Sequence, residues 1–439
     1  MNDPIELKPR DHYLRRLTAF QDTKPVKVIT GIRRCGKSSL MKLMVQHLKE
    51  TGVSDSQIIG LNFESLQCQG MDYRALYQYV MDKKPSEGTS YLFFDEIQEI
   101  RDWQRAINAF RVDLPCDIYI TGSNASLLSG ELATYLAGRY VEIRMLPLSF
   151  REFIDFHGYR LDVQYGASGS TLYRVTDKGG FALTLEALFE QFLLFGGMPG
   201  IADIGLDADK AMMLLEGVYA SSIARDILER ARRRGLRQIT DADLLRKISL
   251  FLADNIGNTI SVSSIGNTLS HEGMLENRSK RPAAQTVQAY VNALTEAYIF
   301  YGVKRYDIKG KTYLSTRGKY YIVDIGLRNY LLGLRDADRG HSLENIVYLE
   351  LLRRGYEVAI GKSYSYEIDF IATNPREKLY IQVTESIASQ ETKERELRAL
   401  RQIRDHHEKM ILSLDRSYIM SQDGIRLVNL LDWLLLETV

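Results

Sequence analysis

Residues 31–40 read GIRRCGKSSL, which fits the pattern GxxxxGK followed by Ser or Thr at every position. Gly31 and Gly36 let the backbone curl until successive N–H groups point at phosphate oxygens. Lys37 then reaches the β- and γ-phosphates, and the Ser38 hydroxyl can ligate Mg²⁺. Arg34, Cys35 and Ser39 complete the nucleotide-binding set, with Arg33 and Arg34 shaping the loop or a subunit contact and Cys35 a small filler. The flanks agree. VKVIT before the loop is a β-branched run suited to a buried strand, and SLMKLMVQHLKE after it has helical periodicity. The N-terminus of that helix adds its dipole to the anion site.

A phosphate loop needs an acidic partner to organise metal and water. The run YLFFDEIQEI supplies one: Tyr91 to Phe94 read as a buried strand ending in Asp95 and Glu96. In a Walker-B arrangement Asp95 holds the Mg²⁺ shell and Glu96 polarises the attacking water. A further strand, CDIYITGSNAS, ends in Ser123 and Asn124. These either sense the γ-phosphate and lytic water or simply shape a strand-end turn. Arg139, beyond that strand, is either an arginine finger offered to a neighbouring subunit or a surface arginine.

At 439 residues the chain exceeds one ordinary domain, and 45% hydrophobic with 26% charged residues supplies several cores. A net charge of +1 leaves any nucleic-acid contact to local patches. Cys35, Cys68 and Cys116 form no disulfide framework and have no metal-ligand spacing, which fits a reducing cytoplasm. The start, MNDPIELKPRDHYL, lacks the apolar core of a secretory signal, and no apolar run approaches the roughly eighteen residues of a membrane span. A soluble, cytoplasmic protein with no membrane partner is expected.

Residues 151–235 read mainly as helix, with TLYRVTDKGGFALTL as an inserted hairpin turning at Asp177–Gly180. Arg225, Arg230, Arg232, Arg233, Arg234 and Arg237 make either a solvated helix face or a nucleic-acid or subunit contact. Residues 236–315 read as three helices followed by the hairpin IFYGVKRYDIKGKTYLST, a winged helix-turn-helix. Thr286, Gln288 and Tyr290 then lie near the exposed start of the recognition helix, and Lys304, Arg305, Lys309 and Lys311 make the wing basic. Such a module contacts DNA phosphates or a protein.

The ordered set GIRRCGKS, LFFDEIQ, TGSN, LAGR, LPLSFREF and FGGMP resembles the prokaryotic AAA+-related ATPases that carry a C-terminal domain of unknown function. The resemblance runs over essentially the whole chain. It implies an α/β fold with an ASCE-type P-loop core over 1–150, in which Lys37, Ser38, Asp95 and Glu96 have the roles above. The helical segment 151–235 resembles the AAA+ lid that moves with nucleotide state.

Residues 316–439 alternate as helix, three strands, helix, strand and a closing helix around LVNLLDWLLL, an order that resembles the restriction-endonuclease-like core. That fold's acid, Asp and (Asp/Glu)-x-Lys map onto Glu350 or Glu344, Asp369, and Gln382-Val383-Thr384. Gln382 carries no carboxylate and Thr384 no cation, so an inactive nuclease fold kept for binding or assembly is expected. Glu367 and Asp369 share a strand face, which leaves residual metal binding or a buried structural role for Asp369 open. The combined expectation is an ATP- and Mg²⁺-dependent ATPase working as a homo-oligomeric ring or spiral on duplex or branched DNA. The alternatives are a nucleotide-dependent switch recruiting a protein, and an active ATP-dependent nuclease.

Overall fold

The computed structural model describes residues 7–128, 136, 138–165, 171–229, 231, 239–271, 283–333, 339–363, 366–416 and 421–436. The four expected segments are gathered into two compact units: Met1–Met145 with Glu296–Tyr298, and Leu146–Thr295 with Ile299–Val439.

The first unit begins with helix α1 (Asp11–Thr18) and alternates strand and helix: β1 (Val26–Thr30), α2 (Lys37–Glu50), β2 (Ile58–Asn62), α3 (Tyr73–Lys83), β3 (Ser90–Asp95), α4 (Trp103–Asp113), β4 (Cys116–Gly122) and β5 (Tyr140–Arg144). All five strands are parallel, in the order β2-β3-β4-β1-β5. Parallel strands are covered by helices on both faces, which is why β1 and β3 are buried at every position. One of those positions is a lysine. Lys27 pairs with Asp117 across β1 and β4, and Asp117 also accepts the Tyr119 hydroxyl (2.9 Å) and the Asp22 N–H (2.8 Å). Burial pulls the Lys27 pKa down, against the opposing pull of Asp117.

The second unit opens with α5 (Phe150–Phe156), started by a capping box in which Ser149 and Glu152 satisfy each other's backbone N–H. An antiparallel sheet follows: β6 (Arg160–Tyr165), β7 (Thr171–Thr176) and β8 (Ala182–Leu183), in that order. The expected hairpin is its β7–β8 half, turned by Asp177, whose carboxylate accepts the Gly179 and Phe181 N–H groups. Helices α6 (Leu185–Phe195) and α7 (Ala208–Ser221) come next, then α8 (Ala242–Asp254), α9 (Val262–His271) and α10 (Ala284–Glu296).

The hairpin after them is not a detached wing. Strands β9 (Phe300–Asp307) and β10 (Thr312–Ile322) begin an eight-stranded sheet with β11 (Glu357–Ser363), β12 (Tyr366–Thr373), β13 (Lys378–Val383), β14 (Glu408–Ser413), β15 (Ser421–Gln422) and β16 (Ile425–Asn429). Its order is β10-β9-β11-β12-β13-β14-β16-β15. Phe300, Tyr301 and Val303 are buried, and a solvated wing would have exposed them. The boundary expected at 315 therefore falls inside β10. Among the helices that pack with this sheet are α11 (Ile325–Leu332), α12 (Arg339–Arg353) and α13 (Gln390–Arg401). The expected closing helix is split. Residues 425–429 pair with β14 as β16, and only then does Asn429 cap the short helix α14 (Leu430–Leu435) by accepting the Asp432 N–H.

The FGGMP motif finds its reason here. Gly197 donates its N–H to Asp324 (2.6 Å), which also caps α11 through the Leu327 N–H (2.9 Å). A Cβ on Gly197 would stand 2.4 Å from the Leu148 carbonyl oxygen, and one on Gly196 would meet Asp324 at 2.3 Å. Burial pushes the Asp324 pKa up to about 6 despite the N–H groups of Gly197, Leu327 and Gly326. A raised carboxyl pKa favours folding below its unfolded value and loses that contribution as pH rises through the folded one. Asp324→Asn turns an amide donor toward backbone N–H groups and should cost about 1–3 kcal/mol. In urea unfolding, the wild type's margin over this variant should be largest below about pH 4 and shrink toward pH 6.

Candidate nucleotide site

The loop between β1 and α2 is fixed by close backbone approaches. Gly31 has φ +149° and Gly36 +104°, and a Cβ on Gly31 would lie 2.2 Å from the Met145 carbonyl oxygen. Arg34 also has positive φ (+65°) and is exposed, while Arg33 pairs with Glu64 (2.9 Å). Ser38 and Ser39 are exposed in the first turn of α2. The Cys35 side chain turns inward, toward the Met145 carbonyl (3.6 Å), and burial raises its thiol pKa; only its backbone faces the loop. The Lys37 ammonium donates to the carbonyls of Gly31 (3.0 Å) and Ile32 (3.2 Å) and stands 3.7 Å from Glu96 Oε1.

The acidic pair is positioned by neighbouring strands. Thr121 on β4 donates its hydroxyl to Asp95 (2.6 Å), and the same oxygen accepts the Glu96 N–H (2.8 Å). Asn62, opposite Asp95 on β2, donates to the other carboxylate oxygen (3.1 Å). Gln98 donates to Glu96, and its own Oε1 is buried without a hydrogen-bond partner. Ser123 and Asn124 are buried just past the end of β4. A third arginine, Arg10, is 3% exposed; it donates to the Cys35 carbonyl (3.2 Å) and lies over the Tyr13 ring. Lys37, Asp95, Glu96 and Thr121 thus meet at the C-terminal ends of β1, β3 and β4, where open parallel sheets bind ligands. A glycine-turned loop at a helix start, one ammonium and paired carboxylates suit a polyphosphate.

Residues 23–154 match a family described as an AAA domain, and residues 186–338 match a domain of unknown function. A relative in Haemophilus influenzae, described as an uncharacterized protein, is 40% identical over 429 residues, covering 97% of this chain and 98% of that one. One in Methanocaldococcus jannaschii, likewise uncharacterized, is 30% identical over 382 residues, 85% of this chain and 77% of that one. The chain belongs to the AAA-domain P-loop ATPases that carry a domain of unknown function. Among solved structures, a Walker-type ATPase of Pyrococcus abyssi shares 17% identity over 74% of this chain and 95% of that one, with a TM-score of 0.46. Nucleotide binding and nucleotide-dependent ATPase action follow from the family. Among the described residues, no helix is long and apolar enough to cross a membrane.

Other expected residues of this ATPase lie apart from the loop. Arg139 is exposed and immediately precedes β5, where its carbonyl accepts the Val26 N–H. That is the opposite end of β1 from the phosphate loop, about 15 Å away along the strand. Of the helix residues, Thr286 and Gln288 are half-buried, and Gln288 donates to Asn292 (2.7 Å). Tyr290 is not at an exposed start: it is buried, and its hydroxyl accepts the Thr240 and Asp241 N–H groups. Lys304, Lys309 and Lys311 are exposed and Arg305 is half-buried. Of the arginine cluster, Arg225 is described only in its backbone, and Arg230, Arg232, Arg233, Arg234 and Arg237 lie outside the described residues.

In the C-terminal sheet the nuclease-like positions need correcting. Glu350 is engaged by Arg353 and Arg354 at the end of α12, whereas Glu344 shares Lys319 with Asp369, at 2.9 and 4.0 Å. Gln382 accepts the Asp369 N–H (2.7 Å) and donates to Glu396 of α13 (2.7 Å). The Thr384 hydroxyl turns to the Ser386 carbonyl (3.5 Å). The cation missing at 384 enters from β10: Lys319 bonds Glu344 (2.9 Å) and Glu367 (2.8 Å). Burial alone would lower the Lys319 pKa, but Glu344, Asp369 and Glu367 together raise it. Burial and Glu344 push the Asp369 carboxyl well above its usual range. A lysine in the apolar run KYYIVD was the available sequence signal.

Thr121 offers a direct test of the nucleotide site. Thr121→Val keeps the shape and removes both hydrogen bonds, one to a carboxylate worth about 1.5–3 kcal/mol. The ATPase kcat should fall about ten- to a hundredfold, while nucleotide affinity measured by fluorescent-analogue titration changes less than about threefold.

Proposed function

We propose that the protein hydrolyses ATP with Mg²⁺ and couples the cycle to work on DNA, as a homo-oligomer. The observation that carries the ATPase part is the meeting of Lys37 with Glu96 at 3.7 Å, beside an Asp95 oriented by Thr121 and Asn62. Ser38 and Asp95 are the oxygen donors for Mg²⁺, which would neutralise phosphate charge when bound. Lys37 exchanges the Gly31 and Ile32 carbonyls for phosphate oxygens. The loop N–H groups and the start of α2 hold the remaining phosphate charge. Glu96, released by that movement of Lys37, accepts the proton of the attacking water, and Asn124 orients that water. Arg139, remote from its own loop, serves the site of the next subunit in a ring or spiral.

The DNA part is supported by the solvent-facing Lys304, Lys309 and Lys311 on the β9–β10 hairpin of a nearly neutral chain. Duplex and branched forms are the substrates to test first.

Steady-state ATP hydrolysis with and without duplex, single-stranded and four-way-junction DNA separates the possibilities. Lys37→Ala and Glu96→Gln should abolish turnover, and Glu96→Gln should retain nucleotide. One DNA form should stimulate the wild type several-fold, and Lys304→Ala/Lys309→Ala/Lys311→Ala should lose that stimulation while keeping the basal rate. Hydrolysis indifferent to every DNA form, with no mobility shift, would sink the DNA reading in favour of a switch that recruits a protein.

A further inference from the structure

A restriction-endonuclease-like sheet implies a divalent cation, and the residues at that place do not fit one. A hydrolytic Mg²⁺ takes oxygen ligands, with anionic ones to balance its charge. Gln382 stands at the third acidic position with both ends spent, its oxygen on the Asp369 N–H and its nitrogen on Glu396. Asp369 in turn accepts the Val383 N–H through Oδ2 (2.9 Å). Among the described residues no group of three His, Cys, Asp or Glu side chains is arranged to hold a metal ion.

What stands among the carboxylates is an ammonium. Lys319 is 3% exposed, and its Nζ lies 2.9 Å from Glu344, 2.8 Å from Glu367 and 4.0 Å from Asp369. The surrounding oxygens are engaged as well: Tyr321 donates to the Glu344 oxygen that Lys319 also bonds, and Thr259 donates to the second oxygen of Glu367 (3.3 Å). We propose that the Lys319 ammonium is the resident cation of this centre, standing where the divalent ion of such folds would stand. It joins α12 to β12 and fixes β10, the outer strand of the lysine-bearing hairpin, to both.

The substitution changes the chemistry. An ammonium brings one charge and three donors, so it neutralises and cross-links carboxylates. It has no open coordination position and generates no hydroxide from water, so the centre holds the domain together without metal and without phosphodiester hydrolysis. This inference is independent of the ATPase reading, because it concerns residues of the second unit alone.

The test is a Mn²⁺ titration followed by electron paramagnetic resonance, on the full-length nucleotide-free protein. Wild type and Asp369→Asn should give the same isotherm, since no ion sits at Asp369. Lys319→Met removes the ammonium and should gain one Mn²⁺ site that the wild-type isotherm lacks. Lys319→Met/Asp369→Asn should lose it. Lys319→Arg keeps the charge and should gain none. A wild-type Mn²⁺ site lost in Asp369→Asn would overturn the proposal, as would a folded Lys319→Met that gains no site. Plasmid cleavage by wild type with Mg²⁺ or Mn²⁺ that Asp369→Asn abolishes would overturn it too. Should Lys319→Met fail to fold, the comparison of wild type with Asp369→Asn still decides.

Discussion

One hydroxyl holds the end of β3 in its working geometry. Thr121 donates to the Asp95 carboxylate and accepts from the next N–H, that of Glu96, so two consecutive residues are pinned by one oxygen on the adjoining strand. The chain then turns at Glu96 with φ +54°, a left-handed conformation that a glutamate adopts only when its surroundings hold it there. Parallel pairing of β3 with β4 sets Thr121 beside the strand end and supplies that hold. Without the pairing, two adjacent carboxylates would have no reason to take distinct tasks.

The other end of the same sheet is polar for a different reason. Lys27 and Asp117 are fully buried, and the desolvation of such a pair can exceed its Coulombic gain. What the pair does secure is alignment. Asp117 collects Lys27, Tyr119 and the Asp22 N–H, and Asp22 in turn accepts the Tyr91 hydroxyl at 2.7 Å. Three strands and the turn before β1 are thereby tied at their N-terminal ends. A slip of β1 by one residue would leave both charges buried and unpaired, so the network excludes registers that apolar packing alone would tolerate.

The nucleotide site was largely legible because it is local: a glycine-spaced loop, a strand ending in two acids, and a helix start each fit within ten residues. The residues that orient those groups were not. Asn62, Thr121 and Arg10 reach the site only through strand order and the packing of the N-terminal segment, which no spacing rule encodes. The same limit governed the C-terminal sheet. Glu344 and Glu350 are both buried acids of α12, but six residues apart they project about 120° from each other, and the sequence offers no means of choosing the face. Tyr290 looked like a reading residue because it lies near the start of the expected recognition helix, yet its ring is core and its hydroxyl accepts two backbone N–H groups. Residues 427–429 looked helical because an apolar run of mixed period fits either element, and pairing with β14 decided for strand.

Two buried lysines show how the partners of a charge determine its use. Lys37 is held by two neutral carbonyls, with one carboxylate at 3.7 Å. Carbonyls compete weakly with an anion, so a phosphate can draw the ammonium away and leave Glu96 without its counter-charge. Lys319 is held by two carboxylates within 2.9 Å and a third at 4.0 Å. Removing it would strand the buried Glu344 carboxylate and take the counter-charge from Glu367 and Asp369 as well, a cost no passing ligand offsets. The two side chains are chemically identical and nearly equally buried. Exchange of partners is open to the first and closed to the second, and that difference alone divides a site built to respond from one built to stay put.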